Sequence, residues 1–263
     1  MSSIRPLFIV AGIGSGTGTG ASAARLFAQK GYRIALISRG QEPLNKLTKE
    51  LSQNGGEAAA FPIADYTPNS IRSAFTSIRT HFPSATSPLR VALFNAGHGV
   101  WKPFLDITDN DLRNSFDVNV AAAFAFSREV ITEFLKLGFE DSSEGGQGGS
   151  RKRGTLLFTG ATASIRGNAT TSAFAAGKHG LRALAQSLAK EFGKQNIHIA
   201  HSIIDGVILT ERTKGRLDDP NLEGNMDTHL DSASIAKSYL GLVQQDSSAW
   251  TWEIDLRPAH EKW

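Results

Sequence analysis

Five alternating glycines, Gly12, Gly14, Gly16, Gly18 and Gly20, stand between an apolar run at residues 7–10 and the helix-like stretch Ala21 to Ala28. A strand, a glycine-packed turn and a helix form a seat for a phosphate. Glycine lets the backbone turn at positive φ and come close to an anion, and the free N–H groups of a helix start point at it. The flanking strand and helix favour this over a flexible loop. About 20 residues further on, where dinucleotide folds read the adenosine ribose, the chain places Ser38-Arg39-Gly40 and no acid. A carboxylate there would accept hydrogen bonds from a free 2′-hydroxyl, whereas the Arg39 guanidinium can fork onto a 2′-phosphate. The expected cofactor is therefore NADP(H). Other chemistries lack their residues. There is no Gly-x-Ser-x-Gly elbow and no cysteine. The seven histidines are dispersed with no HExxH spacing.

The elements that must hold these residues follow from hydrophobic runs and their periods. Strands are expected near 7–10, 32–37, 57–63, 91–94, 155–158, 197–204 and 252–256. Helices are expected from Ala21, over 44–51, from Pro68, over 116–137 with Asp109 capping a preceding start, over 172–192 and over 235–243. Strands alternating with helices imply a single-domain α/β Rossmann-type fold, a doubly wound parallel sheet of about seven strands spanning 1–263. The Gly/Ser-rich residues 140–153 read as a mobile surface loop. Residues 210–232, polar with few apolar anchors, read as a substrate lid.

At 263 residues and 40% hydrophobic content the chain can bury one large core. Its net charge of +3 is scattered, Arg151-Lys152-Arg153 excepted, so nucleic acid is not an expected partner. The opening MSSIRPLF is too short for a signal peptide and no apolar run reaches a membrane span, which suggests a cytoplasmic protein with no membrane partner.

Read together, the motifs resemble the short-chain dehydrogenase/reductase family over nearly the whole chain. The family's TGxxxGxG is matched by Ala11 to Gly18, which sets the frame at Gly12, Gly16 and Gly18, with Ser15 and Thr17 in the turn. Asp65 matches its adenine-binding aspartate, and Asn95-Ala96-Gly97 its NNAG motif without the first asparagine. Asn119 matches its helix asparagine. Asp205-Gly206 to Thr210 matches PGxxxT without the proline. The resemblance implies that Gly206 and Thr210 border the nicotinamide and that Asn119 and Lys178 are catalytic, with Lys178 also holding the nicotinamide ribose.

The catalytic motif departs from the family. Lys178 fits the lysine of YxxxK, which puts Phe174 at the tyrosine position. Ala161 falls thirteen residues earlier, where serine is expected. Phenylalanine has no proton to give, and a positioned general acid contributes typically about 10²–10⁴-fold. Three readings stay open. Another group, Thr162, Ser164 or His98 (or Thr159), replaces the acid. Or the substrate, an iminium or conjugated acceptor, needs little acid help. Or the scaffold binds cofactor for a non-redox reaction, isomerase- or lyase-like, or as a nucleotide sensor. His179 is expected to face a neighbouring element. The helix 172–192 is apolar or small all round, and with 116–137 it suggests a homodimer or homotetramer.

Overall fold

The computed structural model describes residues 4–140, 152–214 and 227–260. Seven strands form one wholly parallel sheet in the order β3-β2-β1-β4-β5-β6-β7. They are β1 (Leu7–Ala11), β2 (Arg33–Ser38), β3 (Glu57–Pro62), β4 (Leu89–Phe94), β5 (Gly154–Thr159), β6 (Ile197–Ile204) and β7 (Glu253–Leu256). β1, β2, β5 and β6 are buried at every residue. That is why they read as continuous apolar runs and not as alternating ones.

The helices are α1 (Thr19–Gln29), α2 (Gln41–Gln53), α3 (Pro68–His81), α4 (Asp109–Phe116), α5 (Ala122–Lys136), α6 (Ser172–Phe192), α7 (Glu211–Lys214) and α8 (Ser232–Gln244). Two cores result. One lies under α3, α5 and α6 around Phe75, Phe94, Phe126 and Phe158; the other lies under α1, α2 and α8 around Phe8, Phe27 and Tyr239. The chain leaves β1 toward β2 on one side and returns through β4 on the other. This reversal opens a crevice beyond the carboxyl ends of the two strands, where such sheets take their ligands.

Several expectations need correction. Thr108, not Asp109, caps α4: its hydroxyl accepts from the Asp111 N–H, and the Asp111 carboxylate reaches back to the Thr108 N–H. The helix expected over 116–137 runs from Asp109 to Lys136 and is interrupted by a π-helical stretch, Asp117–Ala121. His179 is exposed and bonds the Ala175 carbonyl of its own helix at 2.9 Å, so it does not meet a neighbouring element. α6, expected to be apolar or small all round, leaves Ala176, Ala183 and Gln186 exposed on the single chain. The expected loop 140–153 lies mostly outside the described residues, but its ends belong to the body of the protein. The Glu140 N–H donates to the Lys152 carbonyl, and buried Lys152 donates to the Val243 carbonyl. Of the expected lid, residues 215–226 lie outside the described residues. In the remainder, Leu230 bridges to Ile208, just before the range, and Asp231 caps α8.

Among the described residues no helix is long and apolar enough to cross a membrane.

Candidate functional site

The glycine turn leaves β1 with Gly12 at φ +95, Gly14 at +58 and Gly16 at +92. A Cβ on Gly12 would lie 2.6 Å from the Ala96 backbone nitrogen. Gly14 and Gly16 have no heavy atom within 4 Å of where a Cβ would stand, and Gly18 has only the Thr210 methyl, at 3.8 Å. The turn is thus rigid on its inner side and open on its outer side, with the exposed Ser15 and Thr17 hydroxyls 3.1 Å apart on its rim. Gly18 caps α1 without a side-chain bond and no acid occupies the first turn. Buried Thr19 Oγ1 has no partner. Unmet N–H groups, an orphaned hydroxyl and open space fit a bound pyrophosphate.

Asn95 locks this turn to the sheet. Its N–H donates to the Ala11 carbonyl at 2.8 Å, and its Nδ2 donates to the Gly12 carbonyl at 2.6 Å. Its Oδ1 accepts from Thr159 Oγ1 at 2.8 Å. With the Thr159 proton so used, the Tyr239 hydroxyl, 2.8 Å away, is the donor to Thr159. Gly20 matters here too, although the motif frame gave it no part. A Cβ on it would fall 2.2 Å from the Gly12 carbonyl oxygen.

Arg39 stands exposed just beyond β2, its guanidinium 5.3 Å from the Tyr66 ring centroid, with no acid in ion-pair reach among the described residues. Asp65 lies on the surface beyond β3. Its Oδ1 accepts from the Thr67 N–H, the Thr67 hydroxyl and the Ser70 hydroxyl. These bonds, Ser70's foremost, hold the carboxyl below the usual carboxylate range.

Lys178 is buried in α6. Its ammonium donates to the Thr159 carbonyl at 2.9 Å and lies 5.9 Å from the Phe174 ring centroid. Burial alone pushes its pKa down to about 8, since no carboxylate accompanies it. The π-helical stretch carries Asn119 to the same place. Its Nδ2 donates to the His98 carbonyl at 2.9 Å and to Ser115 Oγ at 3.2 Å, and its Oδ1 accepts from the His98 N–H at 3.2 Å. Such a bulge re-aims a side chain without ending the helix. Gly177 permits the close approach of α6, because a Cβ there would lie 2.8 Å from Ser115 Oγ. Gly97 lies between the two polar groups, with Asn119 Oδ1 and Lys178 Nζ both 3.5 Å from where its Cβ would be. The structure therefore brings Asn95, Gly97, Asn119, Lys178 and Phe174 together.

The hydroxyl substitutes fare differently. Ser164 is fully buried, and its Oγ accepts the Ala161 N–H at 3.1 Å, so it serves the loop. Thr162 donates its proton to Asp205 Oδ1 at 2.5 Å and has none to offer a substrate. His98 is half-buried, its backbone held at both ends by Asn119. Trp101 packs on Phe174 with ring centroids 5.3 Å apart. Gly206 follows β6 at φ +151, and the Thr210 hydroxyl lies 3.0 Å from that of Thr213.

The feature that sequence reasoning missed is Asp205. Its side chain is 1% exposed, with Arg166 and Arg257 each 3.1 Å away and Thr162 bonded to it. It joins the segments that follow β5, β6 and β7. Only the lost proline of the PGxxxT match hinted at this position. Among the described residues no group of three or more acidic or histidine side chains could hold a metal ion.

A family model described as short chain dehydrogenase matches residues 9–221. The crystal structure of a short-chain dehydrogenase from Rhodopseudomonas palustris is 32% identical, with a TM-score of 0.75, covering 96% of this chain and 98% of that one. A 3-oxoacyl-[acyl-carrier-protein] reductase from Bos taurus is 24% identical over 208 residues, 78% of each chain. The fold is shared with an alcohol dehydrogenase from Thermococcus sibiricus solved with 5-hydroxy-NADP, at 19% identity, a TM-score of 0.78 and 98% and 99% of the two chains.

Proposed function

The chain belongs to the short-chain dehydrogenase family, and from that premise we propose an NADP(H)-dependent oxidoreductase that moves hydride to or from a small organic substrate without a tyrosine acid. One observation carries the reading. Lys178 and Asn119 converge beside the phosphate turn, while the ring that meets Lys178 is phenylalanine. Bound NADP(H) would supply or take up the hydride. The glycine turn and the start of α1 would hold its pyrophosphate, Arg39 the 2′-phosphate, Asp65 the adenine, and Asn95, Gly206 and Thr210 the nicotinamide end. Lys178, within reach of the Gly97 backbone, would hold the ribose. Phe174 and Ala161 occupy the places of the family's tyrosine and serine, and their side chains exclude water without offering a proton.

Arg39→Glu tests the cofactor assignment. A charge-assisted hydrogen bond is worth about 1.5–3 kcal/mol, so NADPH affinity should fall roughly 10–100-fold while NADH affinity holds or rises. Fluorescence titration reads both. Equal losses for the two cofactors would remove Arg39 from the phosphate site.

We also propose that α4, α5 and α6 pair with a second copy of the chain. Leu112, Phe116 and Phe124 are 44%, 41% and 52% exposed on this flank, an apolar surface of the kind that marks an interface. Light scattering should return a dimer or tetramer mass. A monomer at micromolar concentration would refute it.

A further inference from the structure

Building on the hydride-transfer reading above, we infer that the substrate is a protonated imine or iminium, whose N–H is received by Thr162, and not a ketone. The proposal rests on the inventory of protons around Phe174 and the carboxyl edge of β5; the His98 imidazole, on the loop after β4, is the one candidate acid outside that set. A ketone needs a donor for the oxygen that becomes an alkoxide. Phe174 has none. Ser164 accepts the Ala161 N–H and keeps its own proton, but it has no exposed surface from which to offer it. Thr159 is held between Asn95 and Tyr239. The Asn119 amide is spent on the His98 carbonyl and on Ser115. The Lys178 ammonium is 4% exposed, gives one proton to the Thr159 carbonyl and would give the others to the nicotinamide ribose.

Thr162 is partly exposed, in the turn that follows β5 and packs on α6. Its single proton points to Asp205, so its oxygen has only lone pairs left for a further partner. Those lone pairs repel a carbonyl oxygen and accept an N–H. Asp205 is not a base that could pass a proton on. Protonating it would leave Arg166 and Arg257 facing a neutral acid in a buried place. The pair is thus built to accept a hydrogen bond whose proton stays with the substrate.

An iminium needs nothing more. Its carbon takes the hydride pair from the reduced dinucleotide, the C=N π pair becomes the nitrogen lone pair, and the N–H is kept. The product is an amine beside oxidised cofactor, with no proton transferred. The surroundings suit a planar cation. Trp101 and Phe174 present an aromatic wall.

The test uses the full-length protein, NADPH and three probes: 3,4-dihydroisoquinoline, its N-methyl iminium and the ketone 1-tetralone. The imine should exceed the ketone in kcat/KM by about 100-fold or more, the advantage of not needing an acid. Thr162→Val should lower kcat/KM for dihydroisoquinoline about tenfold, leave the N-methyl cation within about twofold, and be rescued by Thr162→Ser. Independently of turnover, calorimetry should show the 1,2,3,4-tetrahydroisoquinolinium cation binding about tenfold more weakly to Thr162→Val. Reduction of 1-tetralone alone, or equal losses for both cations, would overturn the imine assignment and leave hydride transfer standing. NADPH binding with no consumption by any probe would overturn both.

Discussion

Replacing Phe174 with tyrosine is expected to raise the reduction of a simple ketone such as 1-tetralone by about 10²–10⁴-fold, the usual contribution of a positioned general acid. The new phenol would project from a ring whose centroid is already 5.9 Å from the Lys178 ammonium. A cation at that range favours phenolate and lowers the phenol's pKa toward working pH. Lys178 has no carboxylate partner, so its charge is not spent elsewhere. The outer neighbour of Phe174 is the half-exposed Trp101, whose ring centroid lies 5.3 Å from that of Phe174. Adding Ala161→Ser should raise the gain further, by giving the developing oxygen a second donor from the end of β5. Imine reduction should hardly change, since no proton enters that step. Steady-state NADPH oxidation with the two substrates checks the contrast. A variant that binds NADPH as before yet gains nothing on the ketone would place the defect elsewhere in the site, with Thr162 and its acceptor-only hydroxyl first in line.

The parts of this site that were legible in the sequence are those set by local spacing. Gly12, Gly16 and Gly18 announce themselves because a strand, a positive-φ turn and a helix follow one another directly from Leu7 to Gln29. Lys178 and Asn119 could be matched through the order of motifs, and Arg39 through its place after β2. The seven strands showed as apolar runs because a parallel sheet covered on both faces needs no alternation. What stayed hidden depends on distance or on a choice between equals. Thr108 and Asp109 are both good capping residues, and only the reach of Asp111 decides between them. The π-helical stretch at Asn119 shifts the helical register without leaving a compositional trace. Lys152 belongs by composition to a solvated loop, but its long stem carries the ammonium to the end of α8. Gly20 looked like one more glycine of the turn until its distance to the Gly12 carbonyl showed that a methyl group cannot fit.

Asp205 is the clearest case of information absent from local sequence, since its partners are 39 to 52 residues away, and it carries the other large prediction. Asp205→Asn should destabilise the protein by about 2–3 kcal/mol. Removing one member of a buried ion pair typically costs about 3–5 kcal/mol. The figure is lowered here because Arg166 and Arg257 keep 38% and 16% of their side-chain surface in water. In a chain of this size that corresponds to a fall in Tm of roughly 5–10 °C. The loss should be coupled to Arg166. Arg166→Gln removes the more exposed of the two cations, so in the Asp205→Asn background it should cost less than alone, or even stabilise. The double-mutant cycle isolates that term. The same substitution changes chemistry as well as stability. An asparagine amide can turn its N–H toward Thr162, which frees the threonine proton to face the cleft. The preference for a cationic N–H donor should then weaken and tolerance of a carbonyl oxygen should rise, both measured at a temperature well below the lowered Tm. A variant that melts with the parent and keeps its substrate preference would show that Asp205 neither anchors the three strand ends nor sets the polarity of Thr162. A variant that melts early but keeps the preference would confine Asp205 to the anchoring role and leave the acceptor at Thr162 without its cause.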